Sequence, residues 1–183
     1  MKTFSIIILC LFLANGSFAQ NSTKDKQVTK EAKKALQDTI DNIEYRLTKN
    51  MIDSMGFVLE ANYMANRTGV RVPVASNLNF IKIDSSYVAI QTGNNTGMGS
   101  NGVGGVTAEG SVSQWKVSKD EKRRSFYITM EVRTNIGMYT VFMNVTSSGR
   151  ATARLTGLWP GQLVWDGQLV PIGRSRTFKG RSS

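Results

Sequence analysis

The chain has 183 residues, with 23 lysines and arginines against 13 aspartates and glutamates, one cysteine, no histidine and a formal net charge of +10. A chain of this length forms one domain and buries roughly two-thirds of the surface that its unfolded form exposes. The missing histidine excludes Ser-His-Asp and Cys-His catalysis and removes the usual ligands of zinc, copper and haem, so we expect neither a metal nor a cofactor.

The first residues have the pattern of a secretory signal peptide. Lys2 gives a basic start, residues 4–14 are apolar, and a Ser-Phe-Ala exit ends at Ala19. The apolar run is too short for the roughly 20 residues of a membrane-spanning helix, and no later stretch is a candidate. We therefore predict a signal peptide over residues 1–19, cleavage near Ala19 and Gln20, and a periplasmic or secreted protein without a transmembrane segment.

The only cysteine, Cys10, lies inside this apolar run. The residues before it, Ile8 and Leu9, do not form a lipoprotein box, which has a small residue immediately before the cysteine, so we expect no lipid anchor. Cleavage would leave the mature chain without a thiol, and a hydrophobic core must then stabilise it without any disulfide. Carboxylates and a Ser-Lys pair are the catalytic groups that remain.

Positive charge dominates the mature chain, which has 22 basic and 13 acidic residues once Lys2 is removed. This charge suits contact with anionic surfaces or polymers, or it serves only solubility. The basic residues are spread along the chain instead of forming one block, and we expect no nucleic-acid partner. Residues 173–183 contain four basic residues and no acidic one, which predicts a solvated, disordered tail.

Residues 20–55 are predicted to form a polar segment followed by one amphipathic helix. Thr29 caps this helix, which begins at Lys30 and is ended by Gly56. The apolar positions recur at intervals of four, three, four and four, so they share one stripe. The stripe consists of Leu36, Ile40, Ile43, Leu47 and Met51. We expect the stripe to pack against a sheet; the alternatives are a coiled coil and a helix on a membrane surface.

From Phe57 the hydrophobic period changes from helical to alternating, which is typical of strands with one buried face. Short turns at residues 135–137 and 148–149 join three such strands into an antiparallel meander. The predicted core positions of these three strands are Phe126, Ile128, Met130 and Val132, then Tyr139, Val141, Met143 and Val145, then Ala151, Ala153 and Leu155.

The remaining predicted strands cover residues 57–63, 78–83, 87–92, 103–107, 112–117, 163–165 and 168–170, with Asp166 and Gly167 as a turn between the last two. No second helix is visible. The fold class is therefore α+β over residues 56–172: an N-terminal amphipathic helix packed on a curled antiparallel β-sheet, a partial barrel of about eight strands.

A glycine-rich segment, residues 93–105, contains six glycines and the pattern G-x-G-x-x-G at residues 97–102. The residues that follow start no helix, so the pattern does not fit a dinucleotide-binding fingerprint. Either the segment is a long mobile hairpin loop, or its backbone amides line a concave site for an anionic or polar ligand.

The candidate site residues are aromatic, carboxylate or part of the glycine-rich segment. Tryptophans at 115, 159 and 165 line a sugar or lipid pocket or pack in the core. Glycoside hydrolysis needs two carboxylates about 5 to 10 Å apart, and the spacing selects no pair. The predicted ligand-binding set is Asn95, Gly97, Gly99, Asn101, Gly104, Glu109, Trp159 and Trp165. No residue is predicted to be catalytic or to bind a metal.

Three segments resemble a known family: residues 77–84, the glycine-rich block over residues 93–110, and residues 157–171. They are similar to the family called domain of unknown function 4251, whose members are exported proteins of Bacteroidetes. The resemblance covers about residues 55–172. It implies a periplasmic or outer-envelope setting in a Gram-negative cell and a compact β-rich fold, and it supplies no activity, cofactor or catalytic residue.

Two functional hypotheses follow. In the first, the chain is an exported, non-catalytic binding or envelope-maintenance protein whose partner is a lipid, glycan, peptide or envelope protein. In the second, it is a histidine-free, carboxylate-dependent glycan hydrolase that uses Glu109, beside the glycine-rich segment, and Asp166, near two tryptophans. The lack of a thiol and an imidazole favours the first. The sequence specifies neither the ligand nor the oligomeric state.

Overall fold

The computed structural model describes residues 18–94, 101–157 and 162–183, with side chains from residue 28 onward. The chain divides into two compact units after Asn42. The described part of the first unit is helical, and the second unit contains the end of the same helix and the strands. Most of the predicted signal peptide, residues 1–17, lies outside the described residues.

One helix, α1, spans Phe18–Asp53. The strands are β1 Gly56–Asn66, β2 Arg71–Pro73, β3 Phe80–Asp84, β4 Tyr87–Gln91, β5 Thr107–Asp120, β6 Ser125–Thr134, β7 Gly137–Val145, β8 Arg150–Gly157 and β9 Gln162–Pro171. A 3-10 turn, Ile172–Arg174, follows β9. Within the described ranges, no helix combines the length and the apolar character that a membrane span requires.

Eight of these strands form a closed antiparallel barrel. Strand β1 pairs with β3, each of β3 to β8 pairs with the next strand along the chain, and β9 pairs back with β1. Strand β2 pairs with β1 at Tyr63–Ala65 and adds a ninth strand beside the ring. The α+β class is confirmed, but the prediction of a partial barrel is wrong because the sheet closes. Closure pairs the backbone groups that the edges of an open sheet would leave unpaired.

Apolar side chains fill the barrel interior. On β6 the four inward positions are each at most 1% exposed, and the predicted core positions of β7 and β8 are buried except for the half-buried Tyr139. An eight-stranded barrel is just wide enough for side chains to fill it. Alternation along the sequence therefore identified the residues of the core.

Helix α1 extends further than predicted. Its described residues begin at Phe18, so Thr29 lies inside the helix and does not cap it. Residues 20–28 contain neither glycine nor proline, so nothing in them breaks a helix. The helix ends at Asp53, and Met55, with a φ of 49°, takes the left-handed position after it. Gly56, predicted to end the helix, instead opens β1.

Within the second unit, the predicted apolar stripe of α1 packs against the barrel core only at its last position, Met51. Leu36 is 62% exposed, and Ile40, Ile43 and Leu47 are 40 to 51% exposed. Within the second unit another face of the helix packs on the barrel. The Tyr45 ring stacks on the Phe126 ring with 5.6 Å between their centroids, and Ile52 is fully buried in the core. Periodicity shows which residues share a face of the helix, but the apolar residue that is fully buried in the barrel core, Ile52, lies off the predicted stripe.

Gly167 lies inside a strand and not in a turn. The sequence predicted Asp166 and Gly167 as a turn between two short strands, but β9 runs through both. A β-carbon on Gly167 would lie 1.9 Å from the carbonyl oxygen of Glu60 on β1. The β1–β9 register shifts beside this point, between Ala61 and Tyr63. The glycine therefore marks a bulge where two backbones approach closely.

Gly167→Ala should lower the free energy of unfolding by about 2 to 4 kcal/mol, because the backbones of β1 and β9 must separate to admit a methyl group. Urea unfolding followed by circular dichroism measures the change. Gly173→Ala is the matched control, because a β-carbon there meets nothing within 4 Å. We expect the control to change stability by less than about 0.5 kcal/mol. Equal stabilities for the two variants would contradict the close approach.

Candidate functional site

The two ends of the barrel differ. The last turns of α1 lead into β1 at one end, where Ile52 joins the core. At the opposite end is a cavity of about 270 Å³, which we call the mouth cavity. Its described lining is Ile90, Thr92, Val106, Ala108, Ile136, Tyr139, Leu155, Leu163 and Trp165.

The lining of the mouth cavity follows from strand alternation. Ile90, Ala108 and Leu155 are inward positions close to the ends of β4, β5 and β8, where the filled core stops. Among the lining residues that the structure describes there is no carboxylate, lysine or arginine. Its described walls are therefore mostly apolar, and it opens at the end of the barrel opposite the last turns of α1.

Trp165 both lines this cavity and belongs to the core. The residue is 1% exposed, and its indole N–H has no hydrogen-bond partner within the described part of the chain. A buried tryptophan N–H usually has an acceptor, and leaving one without costs about 1 to 3 kcal/mol. The nitrogen itself is buried, so the unused donor lies on the core side of Trp165 and is not exposed to the cavity.

Half of the predicted ligand-binding set can be placed. Asn95, Gly97, Gly99 and Trp159 lie outside the described residues. The described members are Asn101, Gly104, Glu109 and Trp165, and only Trp165 lines the mouth cavity. Sequence reasoning missed the other lining residues because their apolar side chains read as ordinary core. The one signal of these residues in the sequence was their position next to the end of a predicted strand.

Asn101 organises the described part of the glycine-rich segment. It is 2% exposed; its Oδ1 accepts the backbone N–H groups of Val103 and Gly105, each at 3.0 Å, and its Nδ2 donates to Thr92 and Thr107. These four bonds use the full capacity of an asparagine side chain. In the structure the side chain of Asn101 therefore holds the turn together, and the ligand-binding role predicted for it stays a prediction.

The backbone around Gly104 is irregular and does not form the predicted strand over residues 103–107. Gly104 has a φ of 84°, which favours glycine, and β5 begins only at Thr107. The valines in this stretch suggested a strand, but the bonds to Asn101 close a tight turn instead.

Glu109 lies on the outer wall of the barrel and is held by two side chains. The hydroxyl of Tyr87 donates to its Oε1, and Lys179 Nζ lies 2.6 Å from the same oxygen. The hydrogen bonds from Lys179 and then Tyr87 lower the pKa of Glu109. The bond to Glu109 raises the pKa of Lys179, while burial, followed by the bond to Glu109, raises the pKa of Tyr87. Glu109 is a fixed anion and does not suit the role of a general acid.

Lys179 belongs to the basic tail, which the composition predicted to be disordered. In the structure the Phe178 N–H donates to the Asn77 carbonyl at 2.8 Å. Gln91, fully buried, donates to the Phe178 carbonyl at 2.9 Å and accepts the Gly180 N–H at 2.8 Å. The composition of the tail gives only its charge. Hydrogen bonds from these backbone groups and from one buried glutamine hold the tail along the outer wall.

The two carboxylates of the hydrolase hypothesis are not neighbours. Glu109 on β5 and Asp166 on β9 are four strands apart in either direction around the ring of eight, and both side chains point outward. The filled core lies between them, so they cannot flank one glycosidic bond. This geometry contradicts the hydrolase hypothesis for this pair. The described residues also contain no group of three or more His, Cys, Asp or Glu side chains placed to hold a metal ion.

Glu109→Gln should lower the free energy of unfolding by about 0.5 to 1 kcal/mol at neutral pH, because it removes the charge paired with the half-exposed Lys179. The folded-state pKa of Glu109 lies below its unfolded value. The stabilisation is therefore present above the unfolded value and is lost as the pH falls through the folded one. Urea unfolding of both proteins from neutral to acid pH should give curves that converge in acid.

Glu131→Gln, on the outer wall of β6, is the matched control, because Glu131 has no ion pair within the described residues. We expect it to follow the wild type within about 0.5 kcal/mol at every pH. A constant difference between Glu109→Gln and the wild type down to acid pH would contradict the ion pair as its source.

Comparisons with known proteins agree with this fold. The sequence profile of a domain of unknown function, DUF4251, matches residues 39–169. The crystal structure of a DUF4251 family protein from Bacteroides eggerthii DSM 20697 matches with a TM-score of 0.63 and 30% identity, covering 77% of this chain and 96% of that one. No curated protein matches. The resemblance found in the sequence is confirmed, and the chain belongs to the DUF4251 family.

Proposed function

We propose that this chain is an exported, non-catalytic binding protein that takes a small, largely apolar group, such as the acyl chain of a lipid, into the mouth cavity. The observation that carries the proposal is the apolar cavity of about 270 Å³ at the end of a barrel whose remaining interior is filled. The exported setting rests on the predicted signal peptide of residues 1–19 and a periplasmic or secreted location.

The size of the cavity selects among the ligand classes. Ligand pockets in proteins commonly measure about 300 to 1,000 Å³, so this cavity lies just below that range. Its volume equals that of roughly nine water molecules, at about 30 Å³ each. It suits one short chain or one ring. A whole lipid would leave its headgroup outside the barrel.

The apolar walls of the cavity also favour an apolar ligand over a glycan or a peptide. Burying an apolar chain against such walls is favourable by about 25 cal/mol for each Å² removed from water. A glycan or a peptide would lose the hydration of its polar groups there without gaining hydrogen bonds.

Displacement of 1-anilinonaphthalene-8-sulfonate by decanoate tests the proposal. We expect saturable fluorescence enhancement with the wild type and competition by decanoate. Ala108→Leu adds a larger side chain to the cavity wall and should weaken decanoate binding by about tenfold or more, because the chain has less room.

Ala75→Leu is the matched control, because it adds the same side chain at an exposed position that does not line the cavity. We expect it to bind decanoate as the wild type does. Circular dichroism verifies that both variants fold. Equal affinities for the wild type and a folded Ala108→Leu protein would exclude the mouth cavity as the site.

A further inference from the structure

A second concavity, of about 750 Å³, lies on the outer wall of the barrel and shares no described lining residue with the mouth cavity. We call it the outer groove. It lies where β2 and the far end of β1 meet β9, β8 and β7. Its lining residues are Asn62, Tyr63, Arg71, Asn144, Thr146, Arg150, Ala151, Thr152, Asp166, Gly167 and Gln168.

The bulge in β1 accounts for the position of the groove. Beyond the register shift between Ala61 and Tyr63, β1 leaves β3 and pairs with β2 on that side. Strand β2 therefore carries Arg71 alongside Tyr63, while Arg150 and its neighbours on β8 form the facing side. All of its described lining residues lie on strands except Thr146, which is in the turn between β7 and β8.

The charge of the outer groove is positive. Asp166 is the only carboxylate among its described lining residues, and both of its oxygens are already bonded, to Arg71 Nε at 3.2 Å and to the Thr152 hydroxyl at 2.6 Å. Arg150 is exposed and forms no ion pair with any residue that the structure describes. Asp166 neutralises one of the two arginines, so the charge of the other is available to an incoming anion.

The remaining lining suits a hydroxyl-rich molecule. The Tyr63 side chain is amphipathic, 41% exposed, and held by the Arg71 guanidinium, which lies 3.9 Å from the ring centroid. The amides of Asn62 and Asn144 are both donors and acceptors, as sugar hydroxyls are, whereas the Gln168 amide already donates to the Ser148 carbonyl and the Thr146 hydroxyl already bonds to Ser148 and Arg150. A free phosphate would pair with the arginines and leave the amides and the ring unused.

The same pattern continues along the wall. A neighbouring concavity shares Asn144 and Thr152 with the outer groove and is lined by Tyr127 and Phe142. The Arg154 guanidinium lies 5.2 Å from the centroid of the Phe142 ring. Aromatic rings paired with arginines therefore extend beyond one groove, which provides room for several linked units.

We propose that the outer groove binds an oligosaccharide that carries acid groups. Arg150 and the terminal nitrogens of Arg71 pair with its carboxylates or sulfates, the amides bind its hydroxyls, and one sugar ring packs on Tyr63. This site is separate from the mouth cavity and does not depend on the function proposed for that cavity.

Isothermal titration of the full chain with hexameric oligogalacturonate, a sulfated galactan oligosaccharide, neutral maltohexaose and inorganic phosphate tests the proposal. We expect saturable binding of at least one acidic oligosaccharide, which identifies the acid group, and affinity that falls with added salt. Arg150→Gln should weaken this binding about tenfold, and Tyr63→Ala by a similar factor, whereas Tyr63→Phe should retain it.

Arg133→Gln is the matched control, because Arg133 is an exposed arginine on β6 that does not line the groove. It should change the affinity by less than about twofold. Ala108→Leu, which narrows the mouth cavity, should bind the oligosaccharide as the wild type does. Equal losses with Arg133→Gln and Arg150→Gln, equal affinity for maltohexaose, full competition by inorganic phosphate, or no saturable binding would each overturn the proposal.

Discussion

The pairing of β1 with β9 is the contact on which the other features depend. It runs from Phe57 opposite Pro171 to Asn66 opposite Leu163, and it turns a meander into a ring. Without it the inward residues of both strands would face water, and the mouth cavity would lose its boundary on the β9 side. The bulge beside Gly167 belongs to the same pair of strands, and so does one side of the outer groove. One ladder of backbone hydrogen bonds therefore supports the core and both candidate sites.

Much of this architecture was predictable because it depends on local alternation. The inward residues of β6 and β8 were identified from the sequence, since a strand with one buried face has a strict period of two. Closure was not predictable in the same way, because it pairs residues far apart in sequence. The glycine at 167 illustrates the difference: before an alignment with β1 is known, a glycine after an aspartate suggests a turn, whereas beside the Glu60 carbonyl it permits a close approach.

The candidate sites show the same division. Composition drew attention to glycines, tryptophans and carboxylates, and the structure separates their roles: Asn101 closes a turn, Glu109 anchors the tail, and Trp165 lines a cavity. The outer groove gave no signal in the sequence, because Tyr63, Arg71 and Arg150 lie on three different strands and meet only through the sheet. The apolar stripe of α1 is the opposite case: its pattern is clear in the sequence, but Ile43 and Leu47 are about half exposed, and Tyr45 and Ile52 on another face contact the barrel.

Closure of the ring also has a consequence for how the chain acquires its structure. Phe57 and Pro171 are separated by more than a hundred residues, yet they are opposite each other in the ladder. Folds dominated by such distant pairings fold slowly, because a long loop must be ordered before the pairing contributes any free energy. The inward faces of β1 and β3 stay incompletely covered until β9 arrives. During that interval the partly folded chain exposes apolar surface, and chaperones and proteases act on such states.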